Sequence, residues 1–437
     1  MTGEAEQKAG ARSVRGRIGA SAWNATRSLR ARNFRLYFIG QGVSLTGTWM
    51  HKVAIAWLVY RLTGSAFMLG LVGFASRIPT LLLSPLAGVA ADRWDRRRIL
   101  QVTQSLSMVQ AIILATLVLT GVVQVWHVLV LATVVGMLDA IDIPARQSLY
   151  IRLIDDPRDL GNAIALNSSV FNLARLVGPA VAGILVATVG EGWVFGLNAL
   201  TYLAMLVALY LMRLTPVPAT ETAVGVLRNL REGLSFAWGF PAMRAILFLI
   251  ATSSFFAVPV MVLMPVFATE VLGGGPGTLG VLMTAQGAGA LVGALFLAAR
   301  ARVGGMGQLI ALAASLFGGA VLLFGMSRSL WLSLPILALA GLGLMVQSAA
   351  SNTFLQSIVG DRMRGRIMSL YTTAFIGTLP LGNLYSGWMA ELIGAPATVM
   401  IGGAVVLMAG IAFGRRLPAL REDVEVRRRE GTLSTAG

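Results

Sequence analysis

The chain has 437 residues, 56% hydrophobic and only 12% charged, with a mean hydropathy of +0.76; soluble domains carry about 25% charged residues, so this one belongs in lipid. Its net charge of +16 would suit nucleic acid, but the basic residues lie in tails and short loops between apolar runs, which argues against that partner. With no cysteine, and His51 and His127 as its two histidines, it offers no disulfide, no thiol nucleophile and no basis for a Cys- or His-ligated metal.

Residues 1–35 form a polar cytoplasmic tail that includes Arg12, Arg15, Arg17, Arg27, Arg30, Arg32 and Arg35. No small-residue cleavage pattern follows a short apolar run there, and the tail reads as a topogenic segment held near anionic lipid. Twelve apolar runs follow, at 36–60, 66–91, 99–121, 126–146, 161–189, 192–212, 245–269, 278–299, 308–327, 330–353, 367–390 and 396–414. Each has about the 17 to 25 residues, or slightly more, that a helix needs to cross a bilayer.

Between the second and third runs lies Gly88-Val-Ala-Ala-Asp92-Arg93-Trp-Asp95-Arg96-Arg97-Arg98, with four arginines and two aspartates in its last seven residues. Cationic loops are retained on the cytoplasmic side. Thirty of the 35 Lys and Arg residues fall in the two tails, in loops after even-numbered runs or, as Arg146 does, at the inner end of such a run. Two, Arg61 and Arg328, follow odd-numbered runs, and three, Lys52, Arg77 and Arg175, lie inside runs. This partition predicts a multi-pass protein of the cytoplasmic (inner) membrane with both termini in the cytoplasm.

The first half holds every charge that is deep in a run: Lys52 in span 1, Arg77 in span 2, Asp139 and Asp142 in span 4, and Arg175 in span 5. Charge at that depth costs a few kcal/mol per group, so such residues are functional candidates by default. At about 1.5 Å rise per residue, Arg77 lies about 16 Å below the outer end of its span and Arg175 about 21 Å above the inner end of its own. Asp139 and Asp142 are the proton-coupling candidates, and the deeper Asp139 is the better carrier. Asp142 also reads as a salt-bridge partner for Arg146 four residues on, and Asp139 as a fixed partner of Arg77 or Arg175. In span 5, Gly178, Pro179 and Gly183 predict a kink with close helix packing.

Residues 213–244 are the longest interior polar segment, and within them 227–238 has the apolar spacing of an amphipathic helix on the cytoplasmic leaflet. This linker separates an N-terminal six-helix bundle, 36–212, from a C-terminal one, 245–414, with a cytoplasmic tail at 415–437. A shift of 204 residues superposes Gly161 on Gly365, Leu166 on Leu370, Gly178 on Gly382, Gly183 on Gly387 and Gly190 on Gly394. Small residues at matching heights let helices approach closely in lipid. The C-terminal spans carry only neutral polar groups at depth, among them Ser253, Ser254, Gln286, Gln347, Asn352 and Asn383. Lys52, Arg77, Arg175, Gln286, Gln347 and Asn383 are the candidates to line a central cavity.

The loop at 88–98 resembles the signature Gly-x-x-x-Asp-Arg-x-Gly-Arg-Arg/Lys of the major facilitator superfamily, with Asp95 where the second glycine stands. Arg175-Leu-Val-Gly178-Pro179 with Gly183 resembles its antiporter motif, with Ala174 and Ala182 in place of glycines, and the span 4 arginine motif of proton antiporters is not evident. Asp142-Ile-Pro144-Ala145-Arg146-Gln147, Asn162-Ala163, Asn167-Ser168 and Arg364-Gly365-Arg366-Ile-Met-Ser369-Leu370-Tyr371 together resemble the enterobactin-exporter-like branch, the transmembrane secretion effectors.

The resemblance covers residues 30 to 416 or so. It implies an all-α membrane protein of twelve transmembrane helices in two pseudo-symmetric six-helix bundles. It further implies an exporter of siderophores, drugs or other small molecules by alternating access, in antiport with protons. Gly88, Asp92, Arg93, Arg97 and Arg146 are then the inner gate, with Asp92, Arg93 and Arg97 set against spans 4 and 11. The expected partners are a small-molecule substrate and the bilayer; the expected state is monomeric, with a proton gradient and no cofactor. The alternatives are a proton-independent facilitator or importer of the same fold, or a lipid-handling membrane protein. An embedded enzyme has no catalytic pair to support it.

Overall fold

A computed structural model describes residues 27–83, 94–154, 156–213, 235–236, 238–300 and 305–429. Among these, ten helices are long and apolar enough to cross a membrane. Two further membrane-length helical stretches complete a set of twelve. In chain order the helices are α1 Arg32–Thr63, α2 Ala66–Leu83, α3 Arg96–Leu119, α4 Val125–Ile151, α5 Leu160–Val189 and α6 Glu191–Leu211, then α7 Pro241–Val271, α8 Pro276–Ala299, α9 Met306–Met326 and α10 Leu330–Ile358. Helix α11 joins Asp361–Thr372, a π-helical turn Thr373–Gly377 and Leu379–Ile393, and α12 is Ala395–Arg429. All backbone polar groups of a helix pair within it, which is why helices are the element for a chain this apolar.

Local chemistry sets the ends of these helices. Ser65 is the N-cap of α2, accepting from the Met68 amide at 3.3 Å. Asp95 is the N-cap of α3, accepting from the Arg97 amide at 2.9 Å, so the residue that replaces the signature's glycine starts a helix rather than forming a tight turn. Helix α2 is interrupted at Ser76 and Arg77, just before Pro79, whose ring cannot continue the helical ladder. Helix α7 is interrupted beside Pro259 and α11 before Pro380. The 204-residue offset holds in the backbone. Gly190 (φ 86°) and Gly394 (φ 85°) turn the chain from α5 to α6 and from α11 to α12, a conformation that glycine takes without a Cβ penalty.

An even number of crossings puts both ends of the described chain on one face, here the terminal face; the other is the far face. Near the far face, one hydrophobic core runs through both bundles and includes Val53, Leu58, Leu69, Phe195, Leu263, Phe267, Leu279 and Phe324. Near the terminal face the bundles keep separate cores, one around Phe34, Leu100, Leu149 and Leu209 and another around Met243, Ile250, Leu355 and Phe413. Among the described residues the core is therefore continuous between the bundles at the far face and split in two at the terminal face.

Two crossings join the bundles at the far face, and both rest on missing side chains. A Cβ on Gly280 of α8 would lie 2.6 Å from the Cα of Gly183 in α5. A Cβ on Gly387 of α11 would lie 2.8 Å from the Cα of Gly70 in α2. Gly183 and Gly387 are related by the repeat, so the two halves use one device twice. Such close backbone approach lets dispersion act between helices in lipid, where the solvent supplies no hydrophobic drive.

Candidate functional site

The charged residues of the first half divide into two groups by their partners. Asp142 is buried, at 6% exposure. It accepts from Thr103 Oγ1 at 2.7 Å, Gln104 Nε2 at 2.8 Å and Arg146 Nε at 2.8 Å. Arg146 also donates to Gln41 of α1. One knot thus ties α1, α3 and α4 around the Asp142 carboxylate. The i, i+4 pairing of Asp142 with Arg146 is present.

Asp139, one turn away, is placed differently. Its closest cation is Arg77, with Nη1 to Oδ2 at 3.9 Å, and the two side chains keep 41% and 29% of their surface. Arg77 sits at the break in α2, where the lost helical regularity leaves the side chain room to lie beside α4. Gly136 permits that approach: a Cβ there would be 2.6 Å from the Ser76 carbonyl oxygen, and the Gly136 carbonyl accepts from Thr80 Oγ1 at 3.0 Å. Lys52 and Arg175 act electrostatically in the same neighbourhood. Lys52 Nζ lies 4.2 Å from the ring centroid of Trp49 and Arg175 Cζ lies 5.8 Å from it.

The remaining candidates are distributed elsewhere. Gln286 and Gln347 are fully buried: the backbone of Gln286 is pressed against Gly341, and Gln347 donates to Ser253 Oγ at 2.8 Å. Asn383 is buried where α11 crosses α2 at Gly70 and Gly73. Gln286 and Asn383 thus sit where glycines bring helices together, and Gln347 lies in a hydrogen bond between α10 and α7. Gly178 is set against Trp49, whose Cβ would be 2.5 Å from an added Cβ. Pro179 and Gly183 lie on a different face of α5, against Gly280 of α8.

Of the gate candidates, Arg97 donates to the Tyr210 carbonyl of α6 at 2.8 Å and Arg146 serves the Asp142 knot. These two contacts lie inside the N-terminal bundle. Gly88, Asp92 and Arg93 lie outside the described residues, as does most of the 227–238 segment.

Sequence reading missed the polar contacts that cross between the bundles at the far face. Glu391 of α11 accepts from Ser65 Oγ and from the Phe67 amide, each at 3.1 Å, and Tyr60 donates to Glu270. The available signal was two isolated carboxylates at the outer ends of otherwise uncharged spans. A tally of basic residues passes over them.

The arrangement has half-exposed charges midway through a two-bundle helical protein, joined at one face, and the comparisons agree with it. Residues 15–432 match the family of transmembrane secretion effectors. The chain belongs to that family. As a transmembrane secretion effector it is a membrane transporter of the major facilitator type and not an enzyme. It is 27% identical to the staphyloferrin A transporter of Staphylococcus aureus, over 87% of this chain and 95% of that one. It is 28% identical to the multidrug efflux pump Tap of Mycolicibacterium fortuitum, over 85% and 92%. Among solved structures it resembles the nucleoside transporter NupG, with a TM-score of 0.65 at 12% identity over 88% of this chain and 98% of that one. A bacterial homologue of the lysosomal transporter Spinster, in an inward-facing and unoccupied conformation, gives a TM-score of 0.61 at 16% identity over 91% and 97%. At these identities the two structures speak to the fold alone.

Proposed function

We propose that this transmembrane secretion effector exports a small molecule across the cytoplasmic membrane by alternating access, in antiport with protons. The basic tails and loops put the terminal face in the cytoplasm, so the far face, where the core is continuous, is external and the state is inward-facing. Its similarity to a multidrug efflux pump supports the direction.

The loose contact between Arg77 and Asp139 carries the reading of coupling. A carboxylate 3.9 Å from its cation, with 41% of its surface open, is held weakly enough to exchange a proton. Coupling requires that the protonated and ionised forms favour different states. Arg77, at a break in α2, supplies that difference: it is drawn to α4 when Asp139 is charged and released when it is neutral. Asp142 and Arg146 stay paired throughout and hold the bundle rigid.

Everted membrane vesicles with an imposed pH gradient test this. Gradient-driven uptake of substrate is expected in the native protein and is lost in Asp139→Asn, while substrate counterflow without a gradient persists. Unchanged gradient-driven uptake in Asp139→Asn would sink the proton-carrier role.

A further inference from the structure

The interior charges do not balance, and the imbalance is localised on one ring. Asp142 is taken up by Arg146, Thr103 and Gln104. Asp139 stands beside Arg77. The C-terminal spans bring no charge to this depth. That leaves Lys52 and Arg175, both placed over Trp49, with no ion pair to either among the described residues. A charge at this depth is costly, and a cation–π contact returns only about 0.5–2 kcal/mol. The protein therefore holds two cations near the midplane and supplies no carboxylate dedicated to them.

The backbone is shaped to keep them there. Gly178 lies one turn beyond Arg175 on the same face of α5. Its missing side chain lets α5 close on α1 at Trp49, where a Cβ would meet Trp49 Cβ at 2.5 Å and the Thr46 carbonyl oxygen at 3.1 Å. Phe171 meets Trp49 edge-on at a centroid distance of 6.1 Å and braces the indole. Two cations on a braced aromatic surface form a clamp whose missing part is an anion.

We propose that Lys52 and Arg175, held side by side by Trp49, form the substrate clamp of this transporter, and that the substrate is an organic anion with at least two acidic groups. The proposal rests on the transport reading above and narrows it to a substrate class. The guanidinium of Arg175 offers a paired set of N–H donors to one acidic group. The ammonium of Lys52 takes the second, and the buried indole holds the two cations beside each other. A cationic substrate would add like charge to a cleft that already holds more cations than anions.

The test uses the full-length protein in lipid nanodiscs and three probes: 2,6-naphthalenedicarboxylate, its neutral dimethyl ester, and the tetraphenylphosphonium cation. The dianion is expected to bind at least about tenfold more tightly than either of the others, the equivalent of one paired charge. Lys52→Gln and Arg175→Gln are each expected to weaken the dianion about tenfold and to leave the ester unchanged, which also controls for folding. Arg175→Lys is expected to restore part of the loss. Absent binding of the dianion, equal binding of dianion and ester, or indifference to both variants overturns the clamp. If the dianion binds as expected but no gradient moves it in vesicles, the transport reading fails and the clamp stands. If Asp139-dependent transport of the phosphonium is found with no preference for the dianion, the clamp fails and the transport reading stands.

Discussion

Glu391 Oε2, in the C-terminal bundle, accepts hydrogen bonds at 3.1 Å from both the Ser65 hydroxyl and the Phe67 amide of the N-terminal bundle. The acceptor is charged and the donors open helix α2, so the contact joins a carboxylate to the positive end of a helix. Because its partners are in different bundles, it exists only while the far face is closed. Glu391→Ala removes it and leaves the Phe67 amide without this partner. A hydrogen bond to a charged group is worth about 1.5–3 kcal/mol, so the balance is expected to move roughly tenfold or more toward far-face opening. The chain has no cysteine, so Ala66→Cys gives a single labelling site beside the seal. Its rate of reaction with a membrane-impermeant maleimide should rise about tenfold in the Glu391→Ala background. An unchanged rate would show that the contact does not hold the gate.

The two glycine crossings make a second prediction. Gly183→Val and Gly387→Val each insert a side chain where a Cβ alone would lie 2.8 Å from the Cα of the opposing glycine. That opposing atom is backbone, so no rotamer relieves the clash, and the helices must part. Both variants are expected to populate a far-face-open state and to lose transport, although each keeps its bundle. Spin labels at Val189 and Gly277, near the α5–α8 crossing, should move apart by several ångströms in Gly183→Val. Through the shared core, the same pair should lengthen in Gly387→Val. If only the substituted crossing opened, the two would not be one gate.

Asp95 gives a smaller and sharper test. As N-cap of α3 it accepts from the Arg97 amide, and replacing such a cap with alanine costs about 1 kcal/mol, whereas glycine costs only a few tenths. Asp95→Ala should therefore lower the thermal midpoint in detergent measurably, and Asp95→Gly should stay close to the native value. Equal losses in both would mean that the capping bond is not what the site requires.

Span count, bundle pairing and the repeat were legible because each follows from a period or an offset: the lengths of the apolar runs, the side on which arginines fall, and 204 residues between Gly190 and Gly394. The Asp142–Arg146 pair was legible for the same reason, being set by helix geometry. No comparable period or offset marks which buried amides face water. Gln286 and Asn383 are polar residues in apolar spans, as Arg77 and Lys52 are, yet they sit at helix contacts set by glycines elsewhere in the chain. The far-face latch was hidden for a related reason. Ser65 and Glu391 are 326 positions apart, and no local pattern marks them as neighbours.

The sharpest separation of roles lies between two carboxylates one turn apart. Asp142 is enclosed by three donors from α3 and α4, and Asp139 is not. Asp142→Asn leaves the Arg146 guanidinium buried without its counter-charge, and breaking a buried pair in this way costs about 3–5 kcal/mol. The expected result is a marked fall in thermal stability, with the protein that remains folded still coupled to the proton gradient. Asp139→Asn should do the reverse, because it removes a charge that is half open and only 3.9 Å from its nearest cation. Stability should be nearly native and coupling lost. The check is a paired measurement on each variant, the unfolding midpoint in detergent and the ratio of gradient-driven uptake to counterflow in vesicles. Should Asp142→Asn lose coupling at native stability, the knot would be the proton site and the assignment of Asp139 would fall.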